Sequence, residues 1–405
     1  MTSAVRVHAI EIKNKPLTEG RPAHWANEQG TTFKNPWSSW RNHDWRDQLY
    51  IVFKHPIAMP SQSSSANLAS VIPVHKPTWK HEGNDSQKLK ATWLGHASFF
   101  VELPARRSEK DDSLTANIPS RGARILFDPI FSDYCAPIKL PSLKRITPPA
   151  CSVDGLPEVD AVVISHDHYD HLDGPTITKL AASSRKPHFF APKGNQEILK
   201  YFGVPESNCH ILDWWQSRRV EVLVPVKDEP SQTVPVLFDL TCTPNQHNTG
   251  RNFMDRFRHP DTLWSSWVAR EVLSEPDSAS AKTVFFAGDT GYRAVLDGQD
   301  EDTVPVCEAF KQIGEHFRPI DLAMIPVGAY MPRKFMSPVH CSPKDSALLF
   351  KDLKATNGLG MHWGTFVLTT EPVMDPPMKL KEACEELGIE DGTFVCTDLG
   401  QTRLY

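Results

Sequence analysis

The chain has 405 residues, 40% hydrophobic and 23% charged, enough for a large core in one extended domain or two smaller ones. A formal net charge of -5 argues against a polyanion-binding surface, so nucleic acid is not an expected partner. Eight scattered cysteines contain no C-x-x-C pair, which fits neither a disulfide framework nor a zinc ribbon and points to a reducing compartment.

At the start of the chain, "MTSAVRVHAIEIKNKPLTEG" lacks an apolar signal core, and no later stretch approaches the ~18 apolar residues of a membrane span. The expected location is cytoplasmic, with any membrane contact peripheral. Residues 1–87 alternate polar and aromatic patches without a sustained period, and read as an N-terminal extension packed on or beside the main domain. Within it, Trp37, Trp40, Trp45 and the apolar "LYIVF" (Leu49 to Phe53) are either lipid-interface anchors or packing groups, and packing is favoured.

Residues 88–405 read as the main domain. "KATWLGHASFFVEL" and "ARILFDPIF" predict paired strands joined by the charged "ARRSEKDDSLTANIPSRG". Further on, strands alternate with helices: one capped by Asp173, one capped by Asn195 and closed by Gly203, one with an apolar stripe from Phe310 to Ile313, one capped by Ser342 with Pro343 at its first position, and one ending at Gly388. The expectation is a layered α/β domain without a dinucleotide-binding glycine motif.

The chemistry concentrates in "AVVISHDHYDHLDG". Its β-branched run Ala161 to Ile164 predicts a buried strand, so His166, His168, Asp170 and His171 stand on the loop at its C-terminal end. Imidazole and carboxylate donors in this H-x-H-x-D-H pattern suit zinc and similar divalent ions. Three more strands end beside a metal-capable residue: "VLFDLTCTPNQH" at His247, "KTVFFAGD" at Asp289 and "GLGMH" at His362. Counting donors favours two ions, one on His166, His168 and His247, the other on Asp170, His171 and His362, with Asp289 bridging. Two ions about 3.5–4 Å apart activate solvent and clamp attacking and leaving oxygens, which is hydrolytic chemistry, above all of phosphate esters. His96 and Asp128 are either supports that orient a ligand histidine or plain strand-turn residues. Arg251, Arg256, Arg258, Arg333 and Lys334 are candidate headgroup cations, with a solvated charged surface as the default.

The H-x-H-x-D-H loop with its later His, Asp and His resembles the metallo-β-lactamase signature, which implies an αββα four-layer sandwich. The segments "NPWSSW", "TWLGHAS", "FDPIFS", "DAVVISHDHYDHLD", "LDWW", "TPNQHNTGR", "FFAGDTGY", "DLAMIPVGAYMPRKFM" and "HWGTFVLTTEP", in that order, resemble the N-acyl-phosphatidylethanolamine-hydrolysing phospholipase D family. This resemblance runs from about residue 31 to the C-terminus. It implies two zinc ions on the residues just named, substrate contacts at Tyr169 and His340, and a peripheral membrane enzyme, often dimeric. The implied reaction cleaves N-acyl-phosphatidylethanolamine to an N-acylethanolamine and phosphatidic acid, with His340 assisting the leaving alkoxide or steadying phosphoryl charge. Departures from the family pattern fall at Asp167, where asparagine is common, and around Asn248 to Gly250. Two rivals stay open: a dinuclear hydrolase of a soluble lactone or phosphoester, and a metal-bound lipid sensor without turnover. The tryptophan-rich extension counts against the first and the intact ligand set against the second.

Overall fold

Because successive side chains on a strand point to opposite faces, apolar residues on both faces require cover on both sides. In Ser98–Glu102 (β3), Arg124–Phe127 (β4), Ala161–Val163 (β5) and His188–Pro192 (β6) one set of side chains (Phe99, Val101, Ile125, Phe127, Ala161, Val163, Phe190) enters one cluster, and the alternate set (Phe100, Leu126, Val162, Phe189, Ala191) enters a second. The computed structural model describes residues 5–12, 20–43, 47, 71–79, 83–106, 118–251, 259–274 and 280–405. Trp45, the Leu49 to Phe53 run, Arg256 and Arg258 lie outside the described residues.

The first cluster lies between two mixed sheets. One has the order β15-β2-β3-β4-β5-β6-β7, adding Lys90–Gly95 (β2), Cys209–Leu212 (β7) and Thr402–Leu404 (β15). The other has the order β1-β8-β9-β10-β11-β12-β13-β14, from Val5–Ile10 (β1), Ser217–Pro225 (β8), Thr233–Thr243 (β9), Ser266–Glu271 (β10), Thr283–Phe286 (β11), Leu322–Pro326 (β12), Gly358–Met361 (β13) and Phe394–Val395 (β14). Phe127 and Phe286 meet across the interface with ring centroids 4.8 Å apart. On the outer face of the first sheet, Ile177 and Leu180 of Gly174–Ala181 (α1) and Leu199 of Gln196–Tyr201 (α2) complete the second cluster. On the other sheet pack Ala309–Phe317 (α3), Pro343–Leu353 (α5) and Asp375–Glu386 (α6), while the single turn Arg333–Met336 (α4) stands near the site described below. The result is the four-layer αββα sandwich expected from the sequence.

Local signals meet mixed outcomes. Ser342 forms a full capping box with Asp345, as its spacing predicts. Asp173 precedes α1, but its carboxylate accepts from the Ser132 and Thr176 hydroxyls and makes no cap bond. Asn195 likewise turns its amide to Pro192 O, 2.9 Å away. The segment before residue 88 contributes more than loops: β1 pairs antiparallel with β8 from Val5 to Ile10. Only Val5 of that edge strand is buried, so its hydrophobic pattern is too weak to announce it.

Trp37 is half-buried, stacked on Trp214 at 5.8 Å, and donates from Nε1 to Asn245 O at 3.0 Å. It is therefore a packing group and not a lipid anchor. Trp40 lines the cavity described below.

Candidate metal centre

Strand direction explains why the candidate residues meet. β2 and β4 both run antiparallel to β3, and β5 runs parallel to β4; in the other sheet β9 and β11 both run antiparallel to β10, and β12 and β13 follow β11 in parallel. The C-terminal ends of β2, β4 and β5 thus share one edge of their sheet and those of β9, β11, β12 and β13 one edge of theirs, while β3 and β10 end on the opposite side. His96 follows β2, Asp128 follows β4, the His166 loop follows β5, His247 follows β9, Asp289 follows β11 and His362 follows β13. His96, Asp128 and His362 hold left-handed backbone at φ 52, 36 and 67, conformations that non-glycine residues keep only where surrounding contacts enforce them. Gly288 is required here: at φ +59, a Cβ would stand 2.5 Å from Ser165 Cβ, so only glycine lets the Asp289 loop approach the histidine loop.

The donors fall into two adjoining groups, in each of which the ligating atoms lie within 4.8 Å of one another: His166, His168 and His247, and His96, Asp170, His171 and His362. Between them stands Asp289. Its Oδ2 is 3.0 Å from His171 Nε2 and 3.9 Å from His247 Nε2, and its Oδ1 is 3.1 Å from His362 Nε2. All six histidines and aspartates expected as ligands outside position 168 are buried or nearly so, Asp170 having a side chain 17% exposed toward the cavity.

A cation fits this donor set. His171 Nε2, His362 Nε2 and Asp289 Oδ1 are buried and make no hydrogen bond among the described residues, a cost that proteins tolerate where an ion or catalysis compensates. The electrostatics agree. Burial works against the imidazolium of His171, yet Asp289, Asp170 and the Asp128 hydrogen bond prevail and hold its pKa well above the usual histidine range. Burial likewise opposes the Asp289 carboxylate, but His171 and His362 hold it well below the usual carboxylate range. His166 and His247 are driven well down, first by burial. Without an ion the carboxylates are balanced by a proton on His171; a divalent cation held by these residues would supply that charge instead.

Supporting groups fix the rings. Asp128, fully buried, accepts from Ser165 N at 2.7 Å and Ser165 Oγ at 2.5 Å, and meets His171 Nδ1 at 2.7 Å. Ser165 Oγ in turn lies 2.8 Å from His166 Nδ1, so one carboxylate orients two ligand candidates from behind. Nothing in the sequence pattern singles out Ser165; its signal is only its place between strand end and first histidine. Val339 O meets His247 Nδ1 at 2.8 Å. His96 Nε2 sits 2.9 Å from Asp170 Oδ2, which brings this ring into the second donor group itself. Asp128→Asn is expected to weaken divalent-ion affinity about 10- to 100-fold, measured by competition with a chelating dye. Unchanged affinity would show that the Asp128 contacts do not orient the ligands.

Asp167 explains its own departure from asparagine. Its carboxylate accepts from the Thr249 and Thr262 hydroxyls and from Gly250 N, so it ties down the altered Asn248 to Gly250 segment. Arg251 reinforces that tie, donating to Asp167 O at 2.6 Å and Leu172 O at 2.5 Å, with its guanidinium over the Tyr169 ring at 4.3 Å. Arg251 thus acts as a loop clamp on the cavity wall. Arg333 is also committed, to Glu301 and Asp345.

In front of the donors opens a cavity of about 700 Å³ whose lining includes His168, Asp170, His247, Tyr169 and His340. The rest of its wall combines an apolar and aromatic part, with Phe33, Trp40, Leu143, Trp264, Phe335 and Leu368, and a polar part, with Lys34, Asn35, Asn42, Asn248, Arg251 and His259. His340 Nε2 lies 3.8 Å from Asp289 Oδ2, and its Nδ1 has no hydrogen-bond partner among the described residues. Burial, only partly opposed by Asp289, lowers its pKa to about 4, so the ring is neutral at neutral pH in the ion-free site. It does not cap α5, a task that Ser342 performs. The N-terminal segment supplies residues that sequence reasoning missed: Asn35 donates to His247 O at 2.6 Å, and His43 stacks on Phe335 at 4.1 Å.

Comparison with known proteins agrees with this geometry. The beta-lactamase superfamily domain matches residues 123–363, from the start of β4 past His362. N-acyl-phosphatidylethanolamine-hydrolyzing phospholipase D 1 of Caenorhabditis elegans is 31% identical over 97% of this chain and 98% of its own length. The mitochondrial N-acyl-phosphatidylethanolamine-hydrolyzing phospholipase D of Saccharomyces cerevisiae is 29% identical over 83% of this chain and 66% of its own. Among solved structures, a possible metal-dependent hydrolase from Veillonella parvula shares the fold, with a TM-score of 0.51 at 15% identity over 78% of this chain and 100% of that one. Among the described residues no helix is long and apolar enough to cross a membrane. A fold whose co-oriented strand ends gather this donor set, matched over nearly its whole length by such a relative, makes the chain a metal-dependent hydrolase of the metallo-β-lactamase superfamily that belongs to the N-acyl-phosphatidylethanolamine-hydrolysing phospholipase D family.

Proposed function

We propose that the protein is a zinc-dependent phosphodiesterase that hydrolyses N-acyl-phosphatidylethanolamine to an N-acylethanolamine and phosphatidic acid. The observation that carries the reading is the pairing of a two-group donor cluster with a cavity of about 700 Å³ whose wall has an apolar and aromatic part. A soluble lactone or sugar phosphate has no use for Phe33, Trp40, Leu143, Phe335, Met336 and Leu368 around the reacting centre, whereas acyl chains do.

His166, His168 and His247 would hold one ion, Asp170, His171 and His362 a second, and Asp289 would contact both. Five imidazoles and two carboxylates form a borderline donor set that suits zinc better than magnesium or calcium. When bound, the ions supply solvent that ionises near neutral pH and neutralise charge on the phosphoryl oxygens.

The chain's own groups do the rest. Asp128 and Ser165 engage Nδ1 of His171 and His166, which turns each ring's Nε2 toward the centre, where His166 Nε2 meets His168 Nδ1 at 2.8 Å. His340, within reach of Asp289, donates a hydrogen bond to the departing N-acylethanolamine oxygen. Tyr169 and the clamp built by Asp167 and Arg251 shape the headgroup side of the cavity, and the apolar part of the wall excludes bulk water around the diester. The protein works as a peripheral membrane enzyme.

Zinc-loaded protein incubated with N-acyl-phosphatidylethanolamine in mixed micelles should release the two products, identified by mass spectrometry. Absence of both from protein carrying its full metal complement would reject the substrate assignment.

A further inference from the structure

We propose that the loop Ala136 to Lys144 is a membrane-docking element that seats the mouth of the cavity on an anionic lipid surface. The proposal rests on the lipid reading of the site and adds to it the surface from which the lipid enters. Exposed large apolar side chains are few among the described residues, and two of them, Ile138 (64% exposed) and Leu140 (48% exposed), stand two residues apart on this loop. Lys139 between them and Lys144 beyond them are exposed as well. Among the described residues Val71, Ile118, Tyr201 and Met378 are the other exposed large apolar groups, and none of them lines the cavity.

Two observations join this patch to the site. Cys135, Ala136 and Leu143, at the two feet of the loop, line the cavity wall, so the loop turns its feet to the substrate and its tip to solvent. The tip is also held firmly. Cys135 N donates to Leu143 O at 3.0 Å and Arg145 N to Asp133 O at 2.8 Å across the base, and Leu143 N reaches Leu140 O at 2.9 Å within the loop. Beneath it Cys135 packs with Ile130 and Phe366, backed by Leu143 and Leu368. A rigid, solvent-facing Ile and Leu pair gains nothing in water, where it only orders hydration, but inserts into acyl chains at little conformational cost. Lysines beside it sit where anionic phosphates would lie. The chemistry recognised is therefore a bilayer face with negative headgroups.

The test is flotation of the full-length protein with vesicles of phosphatidylcholine, with and without phosphatidylglycerol, none of which the enzyme is proposed to cleave. Wild type should bind, more tightly with phosphatidylglycerol. Ile138→Asp with Leu140→Asp should lower partitioning at least about tenfold, the lower bound for removing one buried aliphatic side chain from hydrocarbon. Lys139→Glu with Lys144→Glu should abolish the preference for phosphatidylglycerol. Tyr201→Asp, which alters an exposed aromatic that does not line the cavity, should bind like wild type. Both loop variants should turn over a short-chain substrate below its micellar concentration at the wild-type rate, which separates docking from chemistry and from misfolding. Unchanged partitioning of the apolar variant overturns the proposal, as does a loop variant that dissociates a dimer while vesicle binding persists, since a second copy would then be what covers the patch. Loop-dependent vesicle binding without any turnover of N-acyl-phosphatidylethanolamine would uphold the docking surface and reject the substrate reading.

Discussion

Asp289→Asn is expected to lower turnover at least about a thousandfold while the protein remains folded, because several kcal/mol of transition-state stabilisation depend on charge at this one carboxylate. The side chain is buried between the two donor groups, with one oxygen 3.0 Å from His171 Nε2 and the other 3.1 Å from His362 Nε2. An amide of the same size fills the space, but its NH2 end cannot ligate a cation and its oxygen carries no full charge. Metal stoichiometry, read by inductively coupled plasma mass spectrometry, should fall together with kcat. A variant that kept full metal content and full activity would remove Asp289 from the centre.

His340→Ala should lower kcat about 10²- to 10⁴-fold with little change in KM and no loss of metal. The ring borders the cavity, yet its nitrogens hold nothing in place: Nδ1 has no hydrogen-bond partner among the described residues, and Nε2 stops 3.8 Å from Asp289. Its backbone is secured independently, His340 N donating to Met336 O at 2.7 Å and Cys341 N to Thr290 O at 2.8 Å. Truncation therefore removes an imidazole without loosening the loop. His247, Asp289 and His340 also form a donor trio in their own right, so the metal count distinguishes the roles. Loss of an ion would make His340 a ligand; loss of rate with both ions retained supports its place beside the leaving oxygen.

The sequence made the donor set readable for a physical reason. Each donor follows an apolar strand, and the recurrence of a metal-capable residue at four strand ends in one domain groups His166, His247, Asp289 and His362 without knowledge of the fold. What remained hidden depends on contacts across long sequence separations. In the sequence His96 reads equally as a support for a ligand histidine or as a plain strand-turn residue; only the sheet order β2-β3-β4-β5 brings its ring to Asp170. Ser165 carries no pattern, and its bridge from Asp128 to His166 exists only once β4 and β5 lie side by side. Arg251 and Arg333 look like headgroup cations in the sequence because the carbonyls and carboxylates that occupy them come from distant segments. The N-terminal segment was the least legible part. Its Asn35 and Trp37 pin the His247 loop through single side-chain to backbone bonds, which leave no periodic trace.

The central claim is that solvent activated at this centre attacks the phosphorus of N-acyl-phosphatidylethanolamine. Turnover in water enriched in the heavy oxygen isotope, followed by mass spectrometry of both products, tests it most directly. The account predicts the label in phosphatidic acid and none in the N-acylethanolamine. Label in the N-acylethanolamine would place the cleavage at the carbon–oxygen bond and contradict the mechanism.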